Sequence, residues 1–471
     1  MINTKACGES FLIKEIQGEK FTPFSLCLKL KARALLESAT LGKGKGQHSI
    51  LLLDPAFTVY QKNAQIYMYK DKKTTRLKTN ARDILDVVLH FAHQHPVPAH
   101  PLPFPAGGVG YLSYEYARHF DDVHFREKPD PSTIPDAMFI FGHIFLIFDH
   151  YTDTITILGL NYNEHRIDLN RAVQKVEQRI YDMDFNYMHP GGETYNSICI
   201  TPGDHQNKFL SGVDKVRREI IKGNLLQGVL SRRVVLRTEI PAIEAYRRLR
   251  SLNPSPYMFY LDAGSFQLFG SSPEVHVKVT KNRVIMRPIA GTRKRGKDSD
   301  EDRLLARELV SDEKEQAEHL MLVDLARNDL GRVCTPDSIE VSQYMSVEHY
   351  SHVIHLVSQV EGILQKDKTG LDAVRKTFPA GTVSGAPKIK AMEIIDTLEP
   401  EKRGFYAGVV GYIEPGGYLD TCITIRSALK KDDLLLLQAG AGIVYDSVPA
   451  REYHETTSKL KALGASLGVE V

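Results

Sequence analysis

The sequence predicts an α/β (α+β) protein of large antiparallel β-sheets packed as a sandwich, with helices on the outside. Three observations predict it. Residues 256–289 alternate at least four strand-like runs with turn residues such as Asp262-Ala263-Gly264-Ser265, and residues 405–445 are strand-dense again. Gly416-Gly417 separates two of those later runs as a hairpin signal, which favours antiparallel pairing. Between the strand runs lie helices with a single apolar face, such as Phe209, Val213, Val216 and Ile220 within residues 208–221. A chain of 471 residues has room for two or three domains. The mixture of Pro, Gly, Asn and Thr over residues 184–205 divides it into a 1–195 unit and a 205–471 unit.

Taken in order, residues 25–38 read as a helix ending in Leu35-Leu36-Glu37-Ser38. Gly42-Lys43-Gly44-Lys45-Gly46 reads as a surface loop, because a dinucleotide fingerprint needs a third glycine at fixed spacing and a preceding strand. Residues 49–54 and 64–69 are strands, the first apolar on both faces and so buried. Residues 81–93 place Ile84, Val87, Val88 and Phe91 on one helical face. The prolines of 96–105 interrupt regular structure before a glycine-rich strand at 107–114. Residues 138–148 and 154–160 form an antiparallel pair, and 166–181 a helix.

Past the boundary, a helix over 208–221 is closed by Gly223, a strand covers 225–236, and Pro241 opens the next helix. The second half is organised around residues 315–332, a helix whose expected buried stripe is Ala317, Leu320, Met321 and Leu325. Helical or mixed segments run to Lys390 and a further helix to Leu398. A last strand leads into Ala439-Gly440-Ala441-Gly442, and Pro449 opens a C-terminal helix.

Composition excludes several classes. Sixty Lys and Arg against 58 Asp and Glu give a formal charge of +2 with no long single-sign run, unlike a nucleic-acid or anionic-membrane footprint. The five cysteines (Cys7, Cys27, Cys199, Cys334, Cys422) are scattered, with no C-x-x-C pair, so neither a disulfide framework nor a zinc knuckle is supported. None sits in the G-x-C-x-G turn expected of a glutamine-hydrolysing cysteine. With no secretion-signal layout and no apolar run near the ~20 residues of a membrane span, a cytoplasmic protein is expected.

The helix at 315–332 carries Glu315 and Glu318 three residues apart, hence on one face. The C-terminal helix repeats the pattern with Glu452, Glu455 and Lys459. Each set alone reads as a solvated face, the second with an i,i+4 ion pair. Read together, two helices present four carboxylates to a shared space, which demands a cation. Oxygen-only ligands favour Mg²⁺. Arg293, Arg426 and Lys459 are available to hold an anionic substrate, and His355 is either a proton shuttle or a core histidine. Gly381-Thr382-Val383-Ser384-Gly385-Ala386-Pro387-Lys388 fails as a phosphate loop, since three residues rather than four separate its glycines and Pro387 lacks an N–H. It reads instead as a glycine-lined turn beside a small anionic ligand.

These segments together resemble the chorismate-utilising enzyme family, within it the large subunits of anthranilate synthase. The carriers are Pro288-Ile289-Ala290-Gly291-Thr292-Arg293, the 315–332 helix, Phe378 to Lys388, Asp420 to Arg426, Gln438 to Gly442 and Asp446-Ser447-Val448-Pro449. The resemblance implies an active site in the cleft of the sandwich, where ammonia attacks C2 of chorismate as the C4 hydroxyl leaves. Pyruvate is then eliminated to give anthranilate, the first step of tryptophan biosynthesis. It implies Glu315 as acid/base, His355 as assisting pyruvate loss, and Thr382 as a further catalytic group. Glu318 and Glu455 match Mg²⁺ ligands, with Glu452 beside them. Gly291, Thr292, Thr382, Tyr406, Arg426, Gly440, Ala441, Gly442 and Lys459 match chorismate-holding positions.

The expected partner is a separate glutamine amidotransferase subunit supplying ammonia. A tryptophan effector site is expected from Leu36, Glu37, Ser38, Asn253, Pro256, Tyr257, Met258, Val410 and Tyr412, with His48 where some relatives have lysine. Gln227 stands where water-using isochorismate synthases carry a lysine base. Two alternatives accompany this reading: C4 amination, as in aminodeoxychorismate synthase component I, and a non-catalytic amino-acid-binding subunit.

Overall fold

Two bent strands, His48–Lys62 and Ala137–Asp149, organise the computed structural model. They pair antiparallel along their length, with register shifts between Leu52 and Phe57. Such irregularities bend a strand pair, and here they carry both strands from one sheet layer into a second. In the first layer the order is Phe11–Gln17, Thr154–Leu160, Ala137–Asp149, His48–Lys62, Ala34–Glu37, Tyr257–Asp262, Gln267–Ser272, Ser427–Lys431, Leu434–Ile443 and Gln227–Thr238. The second runs from Gln65–Lys70 through the other halves of the bent strands to Val109–Leu112, Val409–Ile413, Leu419–Ile423, Val275–Thr280, Arg283–Met286 and Val353–Ile363. Strand Val353–Ile363 also pairs with Ile289–Lys294 and Glu340–His349. Every one of these pairings is antiparallel. The structure describes all residues except 1–4, 8–9, 39–46, 98–101, 183, 185–192, 202–203 and 351–352, and excludes the side chains of 5–7 and 292.

Strand alternation builds the sandwich. Ala34, Ile50, Leu52, Phe259 and Leu261 point into a core shared with Val277, Val409 and Leu419 of the opposite layer. The intervening Leu35, Leu51, Met258 and Tyr260 point outward, where helices Pro23–Leu30, Leu169–Tyr181, Ala242–Leu252 and Pro449–Leu467 cover them. Both halves of the chain contribute to both layers, since Ala34–Glu37 pairs with Tyr257–Asp262 and Val109–Leu112 with Val409–Ile413. Among the described residues no helix is long and apolar enough to cross a membrane.

Three expectations are corrected. The helix read over 25–38 stops at Leu30, where Lys31 takes a left-handed conformation, and Leu35 and Leu36 belong to a strand. The segment read as helical or mixed after residue 332 contains the paired strands Glu340–His349 and Val353–Ile363. Helix Glu313–Gly331 buries His319, Leu322, Val323, Ala326 and Leu330, while Ala317 and Leu320 are exposed. Apolar residues lie on more than one face of that helix, so its packing against the sheet selects the buried one. The glycine-lysine loop at 42–46 lies outside the described residues.

Candidate active site

Helix Glu313–Gly331 begins at Asp312, whose side chain accepts the backbone N–H groups of Lys314 and Glu315. That cap sets the first turn, and with it Glu315. The Glu315 carboxylate is held by Arg293 at 2.9 Å, and Arg293 also reaches Asp312 at 2.8 Å. Gly291, at φ +63°, lets this carboxylate lie close: a Cβ there would stand 3.2 Å from Glu315 Oε2.

His355 lies across the sheet from Thr292 and is 4% exposed. Its Nδ1 lies 2.9 Å from the Gly291 carbonyl. A carbonyl only accepts, so Nδ1 carries the proton and Nε2 is left as an acceptor. Burial, with Arg426 adding to it, pushes the imidazole down to about 4, so the ring is neutral at neutral pH.

The carboxylates of the two helices share one space. Burial raises Glu318, and its neighbours Glu315 and Glu455 raise it further, while Lys314 and Lys459 oppose them. Glu452 is raised by burial and by Glu455. Lys459 donates to Glu455 at 2.7 Å and to the Gly440 carbonyl at 3.0 Å. Among the described residues no three His, Cys, Asp or Glu side chains converge into a metal cage. The donor set nonetheless suits Mg²⁺, which takes one or two carboxylates and completes its shell with water and substrate oxygens.

The opposite wall comes from strands Leu434–Ile443 and Gln227–Thr238, which place Gly440, Ala441 and Gly442 beside Ser231, Leu230 and Val229. A Cβ at Gly440 would meet Tyr406 Oη at 2.9 Å, and one at Gly442 would meet Gln227 Nε2 at 2.4 Å. These glycines let the buried Tyr406 and Gln227 approach the backbone.

Sequence reasoning missed Glu274. This carboxyl follows Pro273 at the start of strand Val275–Thr280, is 7% exposed, and lies beside Thr382 and Arg426. Burial pushes it up to about 8, with Thr382 and Arg426 only partly opposing the shift. It is a neutral acid at pH 7. The legible signal was a carboxylate at the entry to the alternating strand Val275-His276-Val277-Lys278-Val279, where burial is costly unless it serves a purpose. Arg426, in a left-handed conformation at φ 49°, has no carboxylate within ion-pair distance among the described residues, and burial lowers its guanidinium.

Lys388 does not serve a phosphate loop. Its ammonium is buried against Asp329 at 2.8 and 2.9 Å and donates to the Thr377 carbonyl at 2.8 Å. The pair ties the Thr382 turn to the end of the carboxylate helix. Gly381 packs so tightly there that a Cβ would overlap Leu325 at 1.8 Å. Gly381→Ala is therefore expected to destabilise the fold by about 1–3 kcal/mol through overpacking, read from the urea midpoint; an unchanged midpoint would refute this packing.

A second cavity, of about 310 Å³, is lined by Leu36, Glu37, Ser38, His48, Pro256, Tyr257, Met258, Val410 and Tyr412, among others. Asn253 lies outside that lining, and its carbonyl accepts from Ser271 Oγ. The Glu37 carboxylate is held by Arg250 at 2.8 and 3.0 Å and by Tyr246 at 2.8 Å. Burial lowers His48, with Asp149 at 3.6 Å opposing the shift.

Comparison with known proteins places the chain in a family. Residues 37–465 match the family described as chorismate binding enzyme. The chain is 56% identical over 469 residues to anthranilate synthase component 1 of Spirochaeta aurantia, covering 98% of this chain and 97% of that protein. It is 40% identical to anthranilate synthase component 1 of Aquifex aeolicus, covering 96% and 93%. The crystal structure of anthranilate synthase component I from Streptococcus pneumoniae superposes with a TM-score of 0.80 at 34% identity, covering 95% of this chain and 98% of that one. The menaquinone-specific isochorismate synthase of Escherichia coli, at 20% identity and a TM-score of 0.71, shares the fold.

Proposed function

Because this chain belongs to the family of chorismate binding enzymes, we propose that it makes anthranilate from chorismate and ammonia, with Mg²⁺ bound and a glutamine amidotransferase subunit as ammonia source. The observation that carries the reading is a neutral buried acid, Glu274, set beside Thr382 and the cationic Arg426. Loss of the C4 hydroxyl as water needs a proton at its oxygen. Glu274 is protonated at neutral pH and can give one. Glu315, expected from the resemblance to fill that role, is ion-paired to Arg293, and in our reading it belongs to the carboxylate cluster instead.

Arg426 binds one substrate carboxylate, and the glycine backbone with Tyr406 and Lys459 holds the rest of the ring and its substituents. Glu318 and Glu455 would hold Mg²⁺, which when bound neutralises a second substrate carboxylate. Ammonia attacks C2 and the C4 hydroxyl departs. The C2 proton is then removed as the enolpyruvyl C–O bond breaks, and the side chain leaves as pyruvate. His355, neutral with Nε2 as acceptor, is the base for that proton. Gln227 supports ammonia over water as nucleophile, since an amide has no basic lone pair to activate water.

Chorismate with ammonium salt and Mg²⁺ is expected to yield fluorescent anthranilate and equimolar pyruvate, and EDTA is expected to abolish turnover. An amino product that carries its nitrogen at C4, with the enolpyruvyl group retained, would overturn the C2 assignment. We also propose that tryptophan occupies the 310 Å³ cavity and inhibits; unchanged turnover at saturating tryptophan would exclude that role.

A further inference from the structure

The effector cavity and the substrate side share a wall. Val275 and Arg287 line both the 310 Å³ cavity and the small recess that contains Glu274 and Thr382. Arg287 is the more informative of the two. Its guanidinium donates to Glu348, while its Nε is buried with no hydrogen-bond partner among the described residues. Glu348 is therefore the described group that fixes the guanidinium.

Glu348 has two further connections. Its carboxylate accepts from Tyr350 Oη at 3.2 Å. Its backbone is the direct cross-strand partner of His355. Tyr350, 6% exposed, sets its ring edge-on against His355, with centroids 5.2 Å apart and an interplanar angle of 77°. A side chain at the effector cavity thus reaches the candidate base through two intermediates, Glu348 and Tyr350.

We infer that Arg287, Glu348 and Tyr350 form a positioning relay through which a ligand in the effector cavity resets His355. This rests on the reading that the cavity takes tryptophan and the His355 side takes chorismate. A ligand that re-aims Arg287 must strain or release its pair with Glu348. Glu348 then shifts Tyr350 and the strand position opposite His355. The contacts are direct and packed, so displacement at one end has little slack to absorb it. Linkage makes the coupling reciprocal: chorismate weakens tryptophan binding by the same factor as tryptophan weakens chorismate binding.

The chain contains no Trp residue, so the fluorescence of added tryptophan reports its binding directly. With Mg²⁺ present and ammonia omitted, the tryptophan Kd of the full chain is measured with and without chorismate. In the wild type chorismate is expected to raise that Kd by about 5–150-fold, the usual span of such couplings. Glu348→Gln is expected to keep the chorismate-free Kd while bringing the ratio close to one. Tyr350→Phe, which retains the ring and removes the hydroxyl, is expected to reduce the ratio in the same direction. It decides the matter should Glu348→Gln fail to fold. A wild-type ratio preserved in both variants overturns the relay and leaves the proposed function standing. A wild type that binds no tryptophan overturns the effector reading, and the relay with it.

Discussion

Glu274→Gln is expected to lower kcat by about 10²–10⁴-fold, the range for removing a general acid, while leaving the protein folded. Glutamine matches the carboxylic acid in shape and in its ability to donate a hydrogen bond to Thr382 or the substrate, but it has no proton to give. The pH profile supplies a second readout. Burial holds Glu274 up to about 8, so the competent, protonated form is lost as pH rises through that value. The kcat/KM profile of the wild type should therefore fall on an alkaline limb near pH 8, and the limb should vanish from the residual activity of the variant. A variant with wild-type kcat would return the acid role to Glu315.

The same shift has a consequence for stability. Its folded value lies above the ordinary 4.5, so between the two values unfolding releases a proton, and stability falls as pH rises through that window. Glu274→Gln removes that dependence, and the unfolding midpoint of the variant should gain on the wild type between pH 5 and pH 8.

Arg403→Met is expected to cost about 3–5 kcal/mol, because it strands a buried carboxylate. Arg403 is 1% exposed and pairs with Glu399 at 2.8 and 2.7 Å. It also donates to the Val383 carbonyl at 2.7 Å and the Val229 carbonyl at 2.6 Å, and its guanidinium lies 4.4 Å from the Tyr114 ring centroid. Glu115 completes the node by accepting the backbone N–H groups of Arg403 at 2.6 Å and Gly404 at 3.0 Å. Without Arg403, Glu399 keeps, among the described residues, only the Ser231 donors, each at 2.8 Å. Val383 follows Thr382, and Val229 stands opposite Gly442, so the same loss loosens two walls of the candidate site. Urea unfolding reads the stability term. The double variant Arg403→Met, Glu399→Leu should recover part of it, since the stranded charge is then gone; a single variant within about 1 kcal/mol of wild type would refute the argument.

Much of this was legible in the chain itself. Apolar runs, turn residues and helical faces located most strands and helices, because burial imposes a period of two on a strand and about 3.6 on a helix. Helical spacing paired Glu315 with Glu318 and Glu452 with Glu455, and the family resemblance pointed to Gly291, Arg426 and Gly440, all without any coordinates. Leu35-Leu36 was misread as the end of a helix because short apolar runs suit either state, and its partner strand Tyr257–Asp262 lies more than two hundred residues away.

The tertiary structure alone decided what the charges do. Glu315 and Glu274 are both carboxylates in sequence. Arg293 pairs with the first, whereas burial keeps the second protonated, because taking a charge out of water is costly wherever no counter-charge meets it. Lys388 and Arg403 received no role from the sequence, yet both are buried against single carboxylates that fasten the site's walls. The chain determined which chemical groups were available; three-dimensional proximity and exclusion of water determined which of them are paired, kept neutral or built in as struts.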